Sequence, residues 1–274
     1  MDNMFRGFSS LTTIDISNFD TSAVASMESL FNGCESLQKI NFGNINTQNV
    51  LDMSNMFEGL TLTSLDLSKF DTSNVLIMSG MFKSCNKLRY IDLNNFVTSE
   101  VNLMQSMFQG CSSLTSINLV NFDTSKVTSM MSMFNGCSSL NYLDLKSFDS
   151  NLVKKMNYMF DGCSSLTSIN FDLEKFTTLS ASDMSYMFNN CASLTELNLN
   201  GFETDKVNNM AHMFSSCTSL KKLDLTSFNT ANCNNFEGIF EKCGEIDVTI
   251  NKRVCQNLAS SEYITSNIHL VDTN

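Results

Sequence analysis

The side chains able to do chemistry are few in kind and fixed in phase. Ten cysteines come first, because thiolates serve as nucleophiles, metal ligands and disulfide partners. Eight of them (Cys34, Cys85, Cys111, Cys137, Cys163, Cys191, Cys217 and Cys243) fall four residues after the first residue of a Met-Phe pair or its variant. Phe8 and Leu60 fill the same slot elsewhere, so the slot is apolar and its thiol acts as a small hydrophobe. The short Cys-x2-Cys bracket of a zinc site is missing, and stacked side chains pointing the same way rarely meet disulfide geometry. Cys233 and Cys255 stand outside this ladder and could pair with each other.

The remaining reactive groups do not converge. Catalysis needs a nucleophile, a base and an electrostatic partner around one point, whereas the polar residues here recur at regular phases along the chain. His212 sits beside a Met of the repeat and His269 near the C-terminus; both read as surface or satisfied side chains. Methionine at helical spacing reads as core filler rather than a soft-metal site. The column Asp15, Asn41, Asp66, Asp92, Asn118, Asp144, Asn170, Asn198 and Asp224 reads as a solvated strand edge with asparagine relieving carboxylate repulsion. No glycine-rich Asp loop of the calcium-repeat kind accompanies it. The sequence therefore points to no enzyme, no cofactor and no metal.

What positions these residues is a repeat. Met-Phe pairs begin at Met4, Met56, Met81, Met107, Met133, Met159, Met187 and Met213, with Leu30-Phe31 and Ile239-Phe240 as variants, and the common step is 26 residues. A fixed step of that size marks a solenoid, whose coils cannot fold singly and must bury each other's faces. Within Leu114 to Cys137, Ile117 and Leu119 flank Asn118 in strand-like alternation, and Phe122 follows as an inward anchor. Asp123-Thr124-Ser125 suits a helix start. Val127, Met130, Met133 and Phe134 trace an apolar stripe on a short helix, which Gly136 ends. The predicted unit is strand, turn, short helix, turn. About ten units of 25–28 residues fill 1–243, and the segment 244–274 leaves the pattern as a terminal cap. There Ile246, Val248 and Ile250 alternate as a strand. Asn251 to Ala259 is a short helix with Val254, Cys255 and Leu258 inward, and Asn267 to Val271 a last strand. Two extra residues between Phe171 and Phe176 predict a local bulge.

Ser113 to Cys137, SLTSINLVNFDTSKVTSMMSMFNGC, resembles the 26-residue leucine-rich repeats of the BspA-like bacterial and protist surface proteins, and the resemblance runs from about Met4 to Cys243. It implies an α/β leucine-rich-repeat solenoid with a concave parallel sheet and short helices on the convex side. It also implies display outside the cell, for attachment or recognition without catalysis. The first residues enter the repeat mid-phase and lack the basic start and apolar middle of an export signal, so further sequence upstream is expected.

The net charge of −11 argues against nucleic-acid binding, which needs a basic face. No apolar run is long enough to span a membrane. On a rigid repeated frame, specificity belongs to the column that varies: Thr13, Lys39, Ser64, Tyr90, Ser116, Tyr142, Ser168, Glu196, Lys222. Tyr90 and Tyr142, with Asp92, Asn118 and Asp144, form the candidate contact patch, since tyrosine is a common interface anchor. The partner expected from this reading is a protein or glycan on another cell surface. An intracellular interaction scaffold is the alternative, and it suits free thiols.

Overall fold

In a computed structural model that describes residues 1–273, the chain winds as a parallel solenoid, one repeat to a coil. On one side, alternation of inward apolar and outward polar residues gives short strands. They are β1 (Thr13–Asp15), β2 (Lys39–Asn41), β3 (Tyr142–Leu145), β4 (Ser168–Phe171), β5 (Lys222–Asp224) and β6 (Ile246–Ile250). Helix α1 (Gln256–Ala259) and strand β7 (Ile268–Asp272) follow. All pairings are parallel: β1 with β2, β3 with β4, and β5–β6–β7. The expected uninterrupted sheet is thus three patches. Between them the cross-coil bonds lengthen, with Arg89 N–H 3.5 Å from Thr63 C=O and Thr195 N–H 3.4 Å from Thr167 C=O, beyond the usual range.

The helices expected on the other side are not formed; among the described residues α1 is the one α-helix. In their place runs a ribbon of tight turns. Met133, Asn135 and Cys137 each donate N–H to the carbonyl three residues back, while Met130, Ser132, Phe134 and Gly136 donate to Lys155, Asn157, Met159 and Asp161 of the next coil. The cause is backbone sign: Ser132 has φ +57° and Gly136 φ +73°. A left-handed residue at the third position of a turn, as type II turns have, breaks helix propagation and swings alternate N–H groups toward the neighbour. Beside this ribbon an unbroken ladder of parallel bridges runs from Ser26 through Asp52, Ile77, Leu103, Ser129, Lys155, Asp183 and Asn209 to Asn235. The continuous backbone seam therefore lies beside the turn ribbon.

The core lies between the two sides. Val127, Met130, Met133 and Phe134 are fully buried, as are their counterparts from Val50 to Met213. Ring centroids of Phe5, Phe31, Phe57, Phe82, Phe108, Phe134, Phe160, Phe188, Phe214 and Phe240 follow one another at 5.4–5.9 Å, nearly parallel. Each pair is worth about 0.5–1.5 kcal/mol beyond burial. The second phenylalanine column, from Phe70 to Phe228, is buried too, whereas Phe19 in the first coil is exposed.

Two polar columns close the coils. Thr21, Thr47, Thr72, Thr98, Thr124, Ser150, Thr178, Thr204 and Thr230 are buried, and each hydroxyl donates to a carbonyl of the following coil. In six coils the same oxygen also accepts an N–H from that coil, as Thr124 does from Asp149 at 2.8 Å. The eight ladder thiols donate to a phenylalanine carbonyl of an earlier coil at 2.9–3.2 Å. Burial pushes these thiols up, Cys85 and Cys163 to about 12. Cys233 and Cys255 are both free, so their expected pairing is corrected. Cys255 donates to the Phe228 carbonyl at 3.0 Å, while Cys233 points to its own turn at Asn235.

The two extra residues after Phe171 form a turn in which Asp172 accepts the Glu174 N–H. This brings the rings of Phe171 and Phe176 within 4.5 Å. The turn is seated on the next coil at Gly201, where an added Cβ would stand 2.5 Å from the Leu173 carbonyl oxygen. In the C-terminal segment Cys255 and Leu258 face inward, but Val254 is exposed, contrary to expectation.

Candidate functional site

The strand side presents the sequence-chosen residues together on one face. Tyr90 and Tyr142 are 51% and 48% exposed, two coils apart with Ser116 between them, or roughly 10 Å at ordinary strand spacing. Tyr142 and Asp144 belong to β3, where they pair with Ser168 and Asn170 of β4. Asp92, Asn118 and Asp144 are exposed. Each has a local task that the sequence reading lacked: one side-chain oxygen accepts the N–H two residues on, from Asn94, Val120 and Lys146 at 3.0–3.2 Å. Such Asx turns end most strand passages, as at Asp15, Asn41, Asp66 and Asp224; at Asn170 the bond moves to Asp172. Hydrogen bonds from Ser17 and Ser68 hold the carboxyls of Asp15 and Asp66 below the usual range. The column is first a turn-closing device, in which Asp92 and Asp144 each commit one carboxylate oxygen to the turn. Cross-coil bonds order it further, from Asn41 to Asp15 at 3.0 Å and from Asn118 to Asn94 at 2.9 Å.

Toward the C-terminus the same face hollows into a cavity of about 760 Å³, lined among others by Glu196, Lys222, Asp224, Asp247 and Val271. His269 Nδ1 lies 3.3 Å from Asp247 Oδ1. Its walls depend on β6 and β7, whose register no repeat phase announces. Among the described residues, no group of three or more His, Cys, Asp or Glu is placed to hold a metal ion, and no helix is long and apolar enough to cross a membrane.

The turn ribbon carries a second feature that sequence reasoning missed. One position per coil is left-handed throughout: Asn3, Ser29, Asn55, Gly80, Ser106, Ser132, Tyr158, Tyr186, His212 and Gly238 have φ of 54–62°. Small residues and asparagine suit that conformation, whereas a bulky side chain there costs about 1–2 kcal/mol. Tyr158, Tyr186 and His212 hold it on consecutive coils and stack, with centroids 4.6 and 4.7 Å apart. His212 leans over Gly238, where a Cβ would lie 2.4 Å from the ring, and its Nδ1 is 3.4 Å from Glu241. Beside the stack, Asn135 and Asn189 each donate to one oxygen of Asp161 at 2.8 Å, and burial holds that carboxyl above the usual range. The signal was present as the residue just before the Met-Phe pair of each coil, five before the Cys slot, but a helical reading hid it.

Comparison with known proteins adds a family and two distant structural neighbours. The sequence matches the family described as "Mycoplasma protein of unknown function, DUF285" over residues 1–116, 78–169 and 164–274, which together span the chain. It matches no curated protein. Among solved structures, a leucine-rich repeat protein from Eubacterium ventriosum is 13% identical with a TM-score of 0.40, covering 88% of this chain and 79% of that one. A leucine rich cell surface protein from Faecalibacterium prausnitzii is 14% identical with a TM-score of 0.38, covering 96% and 89%. The architecture accordingly rests on the chain's own hydrogen bonds, above.

Proposed function

We propose that this chain, which belongs to the DUF285 family, is a non-enzymatic recognition solenoid that binds a protein or glycan of another cell surface through its strand face. The observation that carries this reading is the exposure of Tyr90 and Tyr142 on a frame held by repeated buried bonds, where neighbouring positions vary from coil to coil. Tyrosine is a common interface anchor because it buries a large ring with few rotatable bonds to freeze. The resemblance of the repeat to BspA-like surface proteins supports display at a cell surface. In the same reading 1–243 is the recognition array. The segment 244–274 is its cap, with Asn267 Nδ2 donating to the carbonyls of Cys243 and Gly244.

The test is capture from candidate host surfaces, followed by competition with the Tyr90→Ala, Tyr142→Ala double variant. Removing two anchors at about 1–2 kcal/mol each is expected to weaken capture at least tenfold while leaving the melting temperature unchanged. Undiminished capture rejects the patch. A second reading, an intracellular interaction scaffold, is favoured by one observation, the ten free buried thiols, since reduced cysteine is the rule where glutathione prevails. Protease treatment of intact source cells separates the two: surface display predicts loss of the chain, and an internal location predicts its survival.

A further inference from the structure

Tyr158 and Tyr186 are the two tyrosines of this chain that touch. Of its five tyrosines, Tyr90 and Tyr142 stand on alternate coils and Tyr263 lies in the C-terminal segment. Tyr158 and Tyr186 instead occupy successive coils in the left-handed column, with ring planes 8° apart and centroids at 4.6 Å. Both are only half-buried. Their hydroxyls make no hydrogen bond within the described residues, so the phenol edges face solvent. Desolvation, followed by the neighbouring Tyr186 and the carboxylates of Asp161 and Asp183, pushes the Tyr158 phenol above its ordinary value.

We propose that Tyr158 and Tyr186 form an oxidative cross-linking site, at which a haem peroxidase using hydrogen peroxide joins the two phenols as dityrosine. Each phenol gives up its hydroxyl hydrogen as one electron and one proton. The two phenoxyl radicals couple through the ring carbons ortho to oxygen, forming one carbon–carbon bond. Each coupled carbon then loses its proton while a phenolic oxygen regains one, so the pair has lost two hydrogens in all. The peroxide O–O bond breaks, and its oxygens leave as two waters. Stacking holds the two rings face to face at 4.6 Å, so ortho carbons of the two radicals can meet across the faces, and the rings then swing about the new bond as their aromaticity returns. The product staples two coils across a loop of 28 residues and raises resistance to unfolding by restricting the unfolded chain. The site lies on the turn ribbon, so this inference does not depend on recognition by the strand face.

The experiment treats the full chain at low concentration with horseradish peroxidase and hydrogen peroxide, then reads intact mass, dityrosine fluorescence and linked peptides. The expected product is a monomer lighter by two hydrogens, with one cross-linked peptide pair containing Tyr158 and Tyr186, and with a higher melting temperature. Tyr158→Phe and Tyr186→Phe keep the stacked ring, fold as the parent does, and lose the monomeric product, while Tyr90→Phe retains it. The proposal is overturned if the parent gives no such product, gives only dimers linked between molecules, or if Tyr158→Phe still yields the fluorescent monomer.

Discussion

Threonine in the Asp-Thr-Ser triplet ties coil to coil through its hydroxyl, because it is buried and bonds the next coil as both donor and acceptor. Thr124 gives its hydrogen to the Asp149 carbonyl and takes the Asp149 N–H, both at 2.8 Å. Thr124→Val keeps the shape but leaves a buried N–H and C=O unpaired, a loss of about 2–4 kcal/mol expected in the urea midpoint. Thr124→Ser should cost less than half as much, since Ser150 fills the same place in its own coil. Equal effects of the two variants would show that the methyl group, not the hydroxyl, matters. The triplet was legible in the sequence as short polar side chains at the end of a strand passage. Its role was read as a helix cap, because one coil viewed alone offers no partner for the hydroxyl.

At the scale of elements, strand and turn ribbon were unequally readable. Period-two alternation at Ile117-Asn118-Leu119 and Leu143-Asp144-Leu145 named the strand side correctly. The stripe Val127, Met130, Met133, Phe134 named the buried residues correctly but gave the wrong backbone, since tight turns repeated at short intervals also return side chains to one face. What separates the two is the left-handed position twice per coil, filled here by Ser132 and Gly136. A single copy shows only one glycine there, and a serine carries no such signal. Gly136 has φ +73°, and a Cβ would meet Gly110 at an ordinary 3.6 Å, so strain rather than space opposes substitution. Gly136→Ala should lower stability by about 1–2 kcal/mol, and Gly136→Asn by less, because asparagine tolerates the left-handed region and Asn190 and Asn55 already hold such positions. Chemical denaturation of the two variants side by side checks the order; equal losses would mean that the added bulk, not φ, is at fault.

The whole molecule behaves as columns, so effects too small in one coil add along the axis. Buried thiols are one case. A free thiol ionises from about pH 9, whereas Cys85 and Cys163 are pushed up to about 12 and Cys233 to about 11. Unfolded cysteines therefore gain by ionising while folded ones stay neutral. Stability is intact below pH 9 and drains between 9 and 12, at about 1.4 kcal/mol per pH unit for each such thiol. The melting temperature should fall steeply above pH 9, and the Cys85→Ala, Cys163→Ala variant should fall less steeply; parallel curves would remove the thiols from the account. The repeat step, the thiol slot and both phenylalanine columns were readable because they depend on register alone. The C-terminal cavity and the Tyr158–Tyr186–His212 stack were not, because each needs the geometry of neighbouring coils.

The claim on which the functional reading stands is that the strand face, and not the turn ribbon, meets the partner. Carboxyl footprinting of the chain, free and with a captured partner, tests it most directly, because exposed acids lie on both sides. Protection of Asp92 and Asp144 with the ribbon acids Glu237 and Glu241 unchanged is the predicted result. Protection of Glu237 and Glu241 with Asp92 and Asp144 still fully reactive would contradict it.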